Sequence, residues 1–319
     1  MKQSLLSKAF IFLLALSSGT LHCTHQNASS TPGHSMQQGT IQHKGYKRSF
    51  MYYTPSRSSP SAPLIFIFHS SNSSPLTIQR QFGYRFEQIA DKTGAIIVYP
   101  HGFQKHWNDC RKEGPYAANR KNLDDVGFVE AMIAFFEKHH SIDEHKIFAT
   151  GLSNGGNFVL RLALESVKIH AVAALGTNFP TEENFDCQHS NRAISFLLMN
   201  GTADPVNPYK GGVVSLYGFG KRGRVLGTEE TIEYWSRNAG NTSPATLLKL
   251  PNPTGADQTL SIHESWKNSA ALIELDSVHG VGHNIPAPHG ADNPLFGPRS
   301  KDYWGADVIY DFFERSSTD

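Results

Sequence analysis

The feature that most limits the folds open to this chain is a series of short, predominantly apolar runs separated by segments of helical spacing. Residues 64–68 read LIFIF, 95–99 AIIVY and 194–199 ISFLLM, and shorter runs occur at 146–150 (KIFAT) and 172–175. A run without alternating polar positions does not suit a sheet that is wet on one face; it suits strands buried on both faces. Between the runs, Ile78, Phe82, Phe86 and Ile89 share one side of a helix expected over 78–92. Val126, Val129, Ile133 and Phe136 share one side of another, with Asp124 or Asn122 as its cap. Further helices are expected to contain 159–164, 228–237 and 307–313, and a half-buried strand spans 48–53 (RSFMYY). Strands and helices in alternation imply βαβ units and an α/β fold: a mostly parallel central sheet with helices on both faces.

At 319 residues and 39% hydrophobic content the chain can bury a large core, and no linker divides 44–319, which is read as one catalytic domain. The 29 Lys and Arg nearly balance the 28 Asp and Glu, a net charge of +1. That excludes a nucleic-acid partner or a polybasic membrane patch as the governing feature. The N-terminus reads as an export signal over 1–22: Lys2 and Lys8 precede the apolar run 9–16 (AFIFLLAL) and the small residues Ser17, Ser18 and Gly19. The run falls short of the roughly 20 apolar residues that span a bilayer, and no later segment reaches that length. Residues 23–43, rich in Ser, Thr, Gln, His and Gly, are expected to be a polar linker. Export, secreted or periplasmic, puts the cysteines in an oxidising compartment. A Cys110–Cys187 disulfide is then expected, and Cys23 is either removed with the signal or a lipid-attachment site, although Thr20-Leu21-His22 is not the usual small-residue lipobox.

The strongest chemical signal is Gly151-Leu152-Ser153-Asn154-Gly155-Gly156. It fits G-x-S-x-G and lies between the strand KIFAT and a helix, where a tight turn lifts a serine hydroxyl out of the sheet at a helix N-terminus. A serine nucleophile needs a base, and the base an orienting carboxylate. Asp204, in the loop after the run ISFLLM, is the candidate acid over Asp186, Asp257 and Asp276, none of which follows so clear a buried strand. His283, in the glycine-flanked GVGHNIP, is the candidate base over His279 and His289. The oxyanion hole is expected from the N–H groups of Asn154 and of Ser71, with Ser70 the alternative to Ser71 in the loop after LIFIF. The sequence has no H-E-x-x-H, paired C-x-x-C, P-loop or strand-linked G-x-G-x-x-G, so neither a metal nor a cofactor is expected.

Taken in order, RSFMYYTP (48–55), LDDVGFVEAMI (123–133), KIFATGLSNGG (146–156), NGTADPVNPY (200–209) and GVGHNIP (280–286) resemble the secreted polyhydroxybutyrate depolymerases and the feruloyl and acetylxylan esterases, relatives of carbohydrate esterase family one. The resemblance implies an α/β-hydrolase fold with Ser153, Asp204 and His283 as nucleophile, acid and base. It implies a mainly structural role for Asp124–Phe128, and a pocket wall and disulfide at Trp107 and Cys110 in HWNDC. Two departures bear on the substrate. His69-Ser70 stands where the family usually has His-Gly, and Ile285 where it often has Trp, so His69, Trp107 and Ile285 are read as pocket residues. The reading is an exported serine esterase acting on a small or polymeric ester, polyhydroxybutyrate depolymerase-like. The alternatives are a feruloyl or acetylxylan esterase on plant polysaccharide, or a disabled hydrolase scaffold that binds. Oligomeric state is left open. The sequons at Asn72 and Asn200 fall in expected active-site loops and are read as chance matches.

Overall fold

The computed structural model describes residues 35–56, 60–249, 259–289 and 293–317. The signal reading of 1–22, Cys23 and the first part of the linker lie outside the described residues, as does Asp257. The strands in chain order are β1 Ser35–His43, β2 Tyr46–Thr54, β3 Ala62–Phe68, β4 Ile96–Pro100, β5 Ile142–Leu152, β6 Ala171–Leu175, β7 Ser195–Gly201, β8 Gly212–Val213, β9 Arg224–Val225, β10 Thr246–Lys249, β11 Leu260–Lys267 and β12 Leu272–His279. The helices are α1 Pro75–Gln81, α2 Arg85–Thr93, α3 Ala117–Arg120, α4 Asp125–His139, α5 Asn154–Glu165, α6 Thr228–Asn238 and α7 Gly305–Ser316. Among the described residues no helix is long and apolar enough to cross a membrane.

Ten strands form one sheet in the order β1-β2-β4-β3-β5-β6-β7-β12-β11-β10. The run from β4 to β12 is parallel, and an antiparallel hairpin closes each end. The apolar runs behave as their composition requires. In β3, Leu64, Phe66 and Phe68 enter the core beneath α4, α5 and α6, whereas Ile65 and Ile67 enter the opposite core beneath α1, α2 and α7. Pleating sends successive side chains to opposite faces, so a strand covered by helices on both sides is apolar at nearly every position, and a polar one such as Asn200 must be hydrogen-bonded.

Two expectations are corrected, and a third is narrowed to one of its alternatives. Residues 35–43, read as part of the linker, form β1, paired along its length with β2. Its inward positions include Gly39 and Ile41, and a β-carbon at Gly39 would run into the buried Phe50 ring. The helix expected over 78–92 is two helices, broken at Gly83 and Tyr84, which both adopt positive φ (63° and 57°). The Trp304 ring packs against Gly83 where a side chain would otherwise stand. The cap of α4 is Asp124, which accepts the Gly127 N–H at 2.8 Å, and not Asn122.

Candidate active site

Parallel strands end on the same side of a sheet, so the loops after β3, β5, β7 and β12 meet there, the usual position of a site in open α/β sheets. Ser153 follows β5 and caps α5 with φ 59° and ψ −120°. A non-glycine residue rarely adopts that geometry, and here the surroundings hold it. The Ser153 N–H donates to the Leu175 carbonyl at 2.8 Å, and the Ser153 carbonyl accepts from the Asn157 N–H at 2.8 Å. Its hydroxyl makes no hydrogen bond among the described residues and faces a cleft of about 260 Å³ that His283 also lines.

Asp204 sits in the turn after β7. Its Oδ1 accepts the Val206 and Asn207 N–H groups at 2.7 and 2.8 Å. Its Oδ2 is 2.6 Å from His283 Nδ1, and both side chains are nearly excluded from water. Gly176, at φ 55°, lets the imidazole approach: a β-carbon there would be 3.0 Å from His283 Cε1. The competitors stand elsewhere. Asp276 is buried within β12, Asp186 and His279 are exposed, and His289 packs at the edge of Trp304.

Asn154 occupies the first position of α5, where a backbone N–H has no intrahelical acceptor. In the loop after β3, the Asn72 N–H donates to the Lys105 carbonyl at 3.0 Å, whereas those of Ser70 and Ser71 have no acceptor among the described residues. Ser70 has an ordinary negative φ, so a serine in place of glycine costs the backbone nothing there. Ser70 and Ser71 both line the cleft.

The pocket expectation for His69, Trp107 and Ile285 is corrected: all three are buried behind the cleft and none lines it. His69 is a brace. The Gly102 N–H donates to its Nε2 at 3.0 Å, which leaves the ring proton on Nδ1 to donate to the Ser70 carbonyl at 2.9 Å. Burial pushes its pKa down to about 4, against the pull of the Ser70 bond, so the ring is neutral at pH 7. Trp107 donates its indole N–H to the His69 carbonyl at 2.9 Å and stacks on Phe158. Ile285 fills the core beneath α7.

The cleft is instead walled by Val206, Val214, Leu216 and Phe296 on its apolar side, and by Gln81, His106 and Arg222 among its polar residues. The small ribbon β8–β9 brings Val214, Leu216 and Arg222 there. Their segment has no periodicity that marks it in the sequence. Asp109 was also missed, although it lies within HWNDC. It is buried, pairs with Arg111 at 2.6 Å and accepts the Asn154 amide at 2.6 Å. The Trp107 N–H donates to the same amide's Oδ1 at 2.9 Å. Asp125, ion-paired to Arg48 at 2.7 Å, accepts the Asn108 N–H at 2.8 Å. The Cys110–Cys187 disulfide, 77 residues apart in sequence, ties down this loop's far end. The D-D element thus holds the loop that holds Asn154. At Asn200 the amide is buried and donates to Thr177, Asn178 and Thr228, which leaves no room for a glycan.

The sheet order and the loops at its carboxyl edge define an α/β-hydrolase fold. No family model matches the chain, but its sequence relatives include proteins named feruloyl and acetylxylan esterases, the group its motifs resemble, and a putative esterase of Nocardia uniformis, 25% identical over 78% of this chain and 73% of that one. The chain is 25% identical over 52% of its length to a bifunctional acetylxylan esterase/xylanase of Neocallimastix patriciarum, of which it covers 23%. It is 29% identical over 52% of its length to feruloyl esterase C of Emericella nidulans, of which it covers 58%. The chain therefore spans less than two thirds of either of these last two relatives. Its fold matches that of an acetyl xylan esterase from Aspergillus awamori, with a TM-score of 0.55 at 15% identity over 88% of this chain and 99% of that one.

Proposed function

We propose that the chain is an exported serine esterase that cleaves carboxylic esters through an acyl-enzyme. The observation that carries this is the buried His283 Nδ1–Asp204 Oδ2 pair, 2.6 Å long, in the same cleft as the strained Ser153 turn. With Nδ1–H donated to Asp204, Nε2 is free to take the Ser153 proton as the hydroxyl oxygen attacks the ester carbonyl. The N–H groups of Asn154 and Ser71 receive the oxyanion, and the imidazolium returns the proton to the leaving alcohol. Water, activated by the same base, then releases the acid. Fixed donors aimed at the developing charge supply the largest share of such a rate enhancement. The Cys110–Cys187 disulfide supports an oxidising compartment and hence export.

Between the two polymer readings, the relatives favour esterified plant polysaccharide over polyhydroxybutyrate, since their names record feruloyl and acetylxylan esters. The test is hydrolysis of short-chain para-nitrophenyl esters, feruloyl esters and polyhydroxybutyrate films by the protein and by Ser153→Ala, with fluorophosphonate labelling alongside. Turnover and labelling should both vanish in the variant. A protein that neither turns over an ester nor takes the label is the disabled scaffold.

A further inference from the structure

Resting on that esterase reading, we propose that Arg222 makes the cleft selective for esters that carry a free carboxylate at their other end. Its place in the cleft, with no carboxylate beside it, points to this. Arg48, Arg111, Arg161 and Arg315 each face a carboxylate. Arg222 faces none among the described residues. Its Nε donates to the Tyr116 hydroxyl at 2.7 Å and its Nη1 to the Gly220 carbonyl at 2.6 Å, both neutral acceptors. Its Nη2 has no partner among the described residues. The group lines the same cleft as Ser153 and His283, and that lining includes no Asp or Glu. A half-buried guanidinium with spare donors and no counter-charge is a ready partner for a carboxylate.

The bracing fixes where the charge stands. The Tyr116 hydroxyl also accepts from Ser71 Oγ at 2.8 Å, so two hydrogen bonds connect the guanidinium to a residue of the oxyanion loop. His106 stacks on Tyr116 with ring centroids 4.3 Å apart. It adds no second cation, because burial lowers its pKa and the nearby Arg222 lowers it further. Val206, Val214, Leu216 and Phe296 in the same lining suit the apolar stretch of such a substrate.

The experiment measures binding to Ser153→Ala, so it does not depend on turnover. The probes are monomethyl glutarate against dimethyl glutarate, and acetylglycolate against its methyl ester, by calorimetric titration. We expect at least one acid to bind tenfold to a hundredfold more tightly than its neutral partner, the range for a charge-assisted hydrogen bond. That ratio should collapse toward one when Arg222→Gln is added and largely persist with Arg222→Lys. If neither acid is preferred, or if Arg222→Gln weakens acid and neutral ester alike, the carboxylate subsite is wrong and Arg222 is only a brace. Parallel turnover by the intact protein separates the two readings. Acid preference without hydrolysis of any ester leaves the subsite standing and removes the esterase; hydrolysis without acid preference does the reverse.

Discussion

Asp204 illustrates how one residue is committed to one task by its neighbours. Two backbone N–H groups hold Oδ1, so Oδ2 is left to face His283 Nδ1. Replacing it by Asn keeps the shape but presents an amide that can bond only the wrong imidazole tautomer, with the proton on Nε2 and none left to accept from Ser153. Asp204→Asn should therefore cut kcat on a para-nitrophenyl ester by about three to four orders of magnitude while KM changes little. Steady-state kinetics beside a far-ultraviolet spectrum would check it; a loss under tenfold would remove Asp204 from the mechanism. The residues proposed to carry this chemistry are legible because each sits in a loop after an apolar run. The residues that shape the cleft were not. Arg222, Val214 and Leu216 come from a ribbon whose strands have two residues each, too short to show any period.

At the scale of elements, legibility followed burial. The strands from β3 to β7 are covered on both faces, so their apolar runs announced them. The edge strands did not. β1 is mostly polar, with Met36 on one face and Gly39 and Ile41 on the other, and β11, second from the opposite edge, turns Ser261 and His263 inward, so its inner face carries polar side chains and reads as a loop. Helices α1 and α2 were fused in the sequence because their apolar positions stay in phase across the break that Trp304 requires. The packing of β1 is itself testable. A β-branched residue ordinarily favours a strand, yet at Gly39 its side chain would collide with Phe50, which is 1% exposed in the core. Gly39→Val should lower stability by about 1–3 kcal/mol in urea unfolding, the usual cost of overpacking. A neutral or stabilising result would mean that β1 does not lie against β2 as described.

For the molecule as a whole, one cluster of buried ionisable groups lies away from Ser153 in sequence, on β11 and β12. On β11 and β12, Asp276 is fully buried and accepts the Tyr303 hydroxyl at 2.7 Å, with His263 and Glu274 beside it. Glu274 is ion-paired to Arg315 and lies 3.2 Å from His263 Nε2. Burial raises the Asp276 carboxyl from 3.8 to about 6, with Glu274 adding to the rise and Tyr303 and His263 opposing it. A carboxyl whose folded pKa lies above its unfolded one holds its proton more tightly when folded. Stability is therefore lost as pH climbs from about 4 to about 6, by up to about 3 kcal/mol, and the loss is constant above that. His263 acts in the same sense. Burial lowers its pKa, but the Glu274 bond and the charges of Glu274 and Asp276 outweigh this and raise it, so its contribution is also lost as pH rises through that value. Asp276→Asn can still accept from Tyr303 and has no charge to bury. Its stability relative to the parent protein should rise between pH 4 and pH 6 and level off above, read by urea unfolding at half-unit steps. A difference that stays flat across this window, or that falls, would show that Asp276 is ionised at little cost and that solvent reaches the β11–β12 edge.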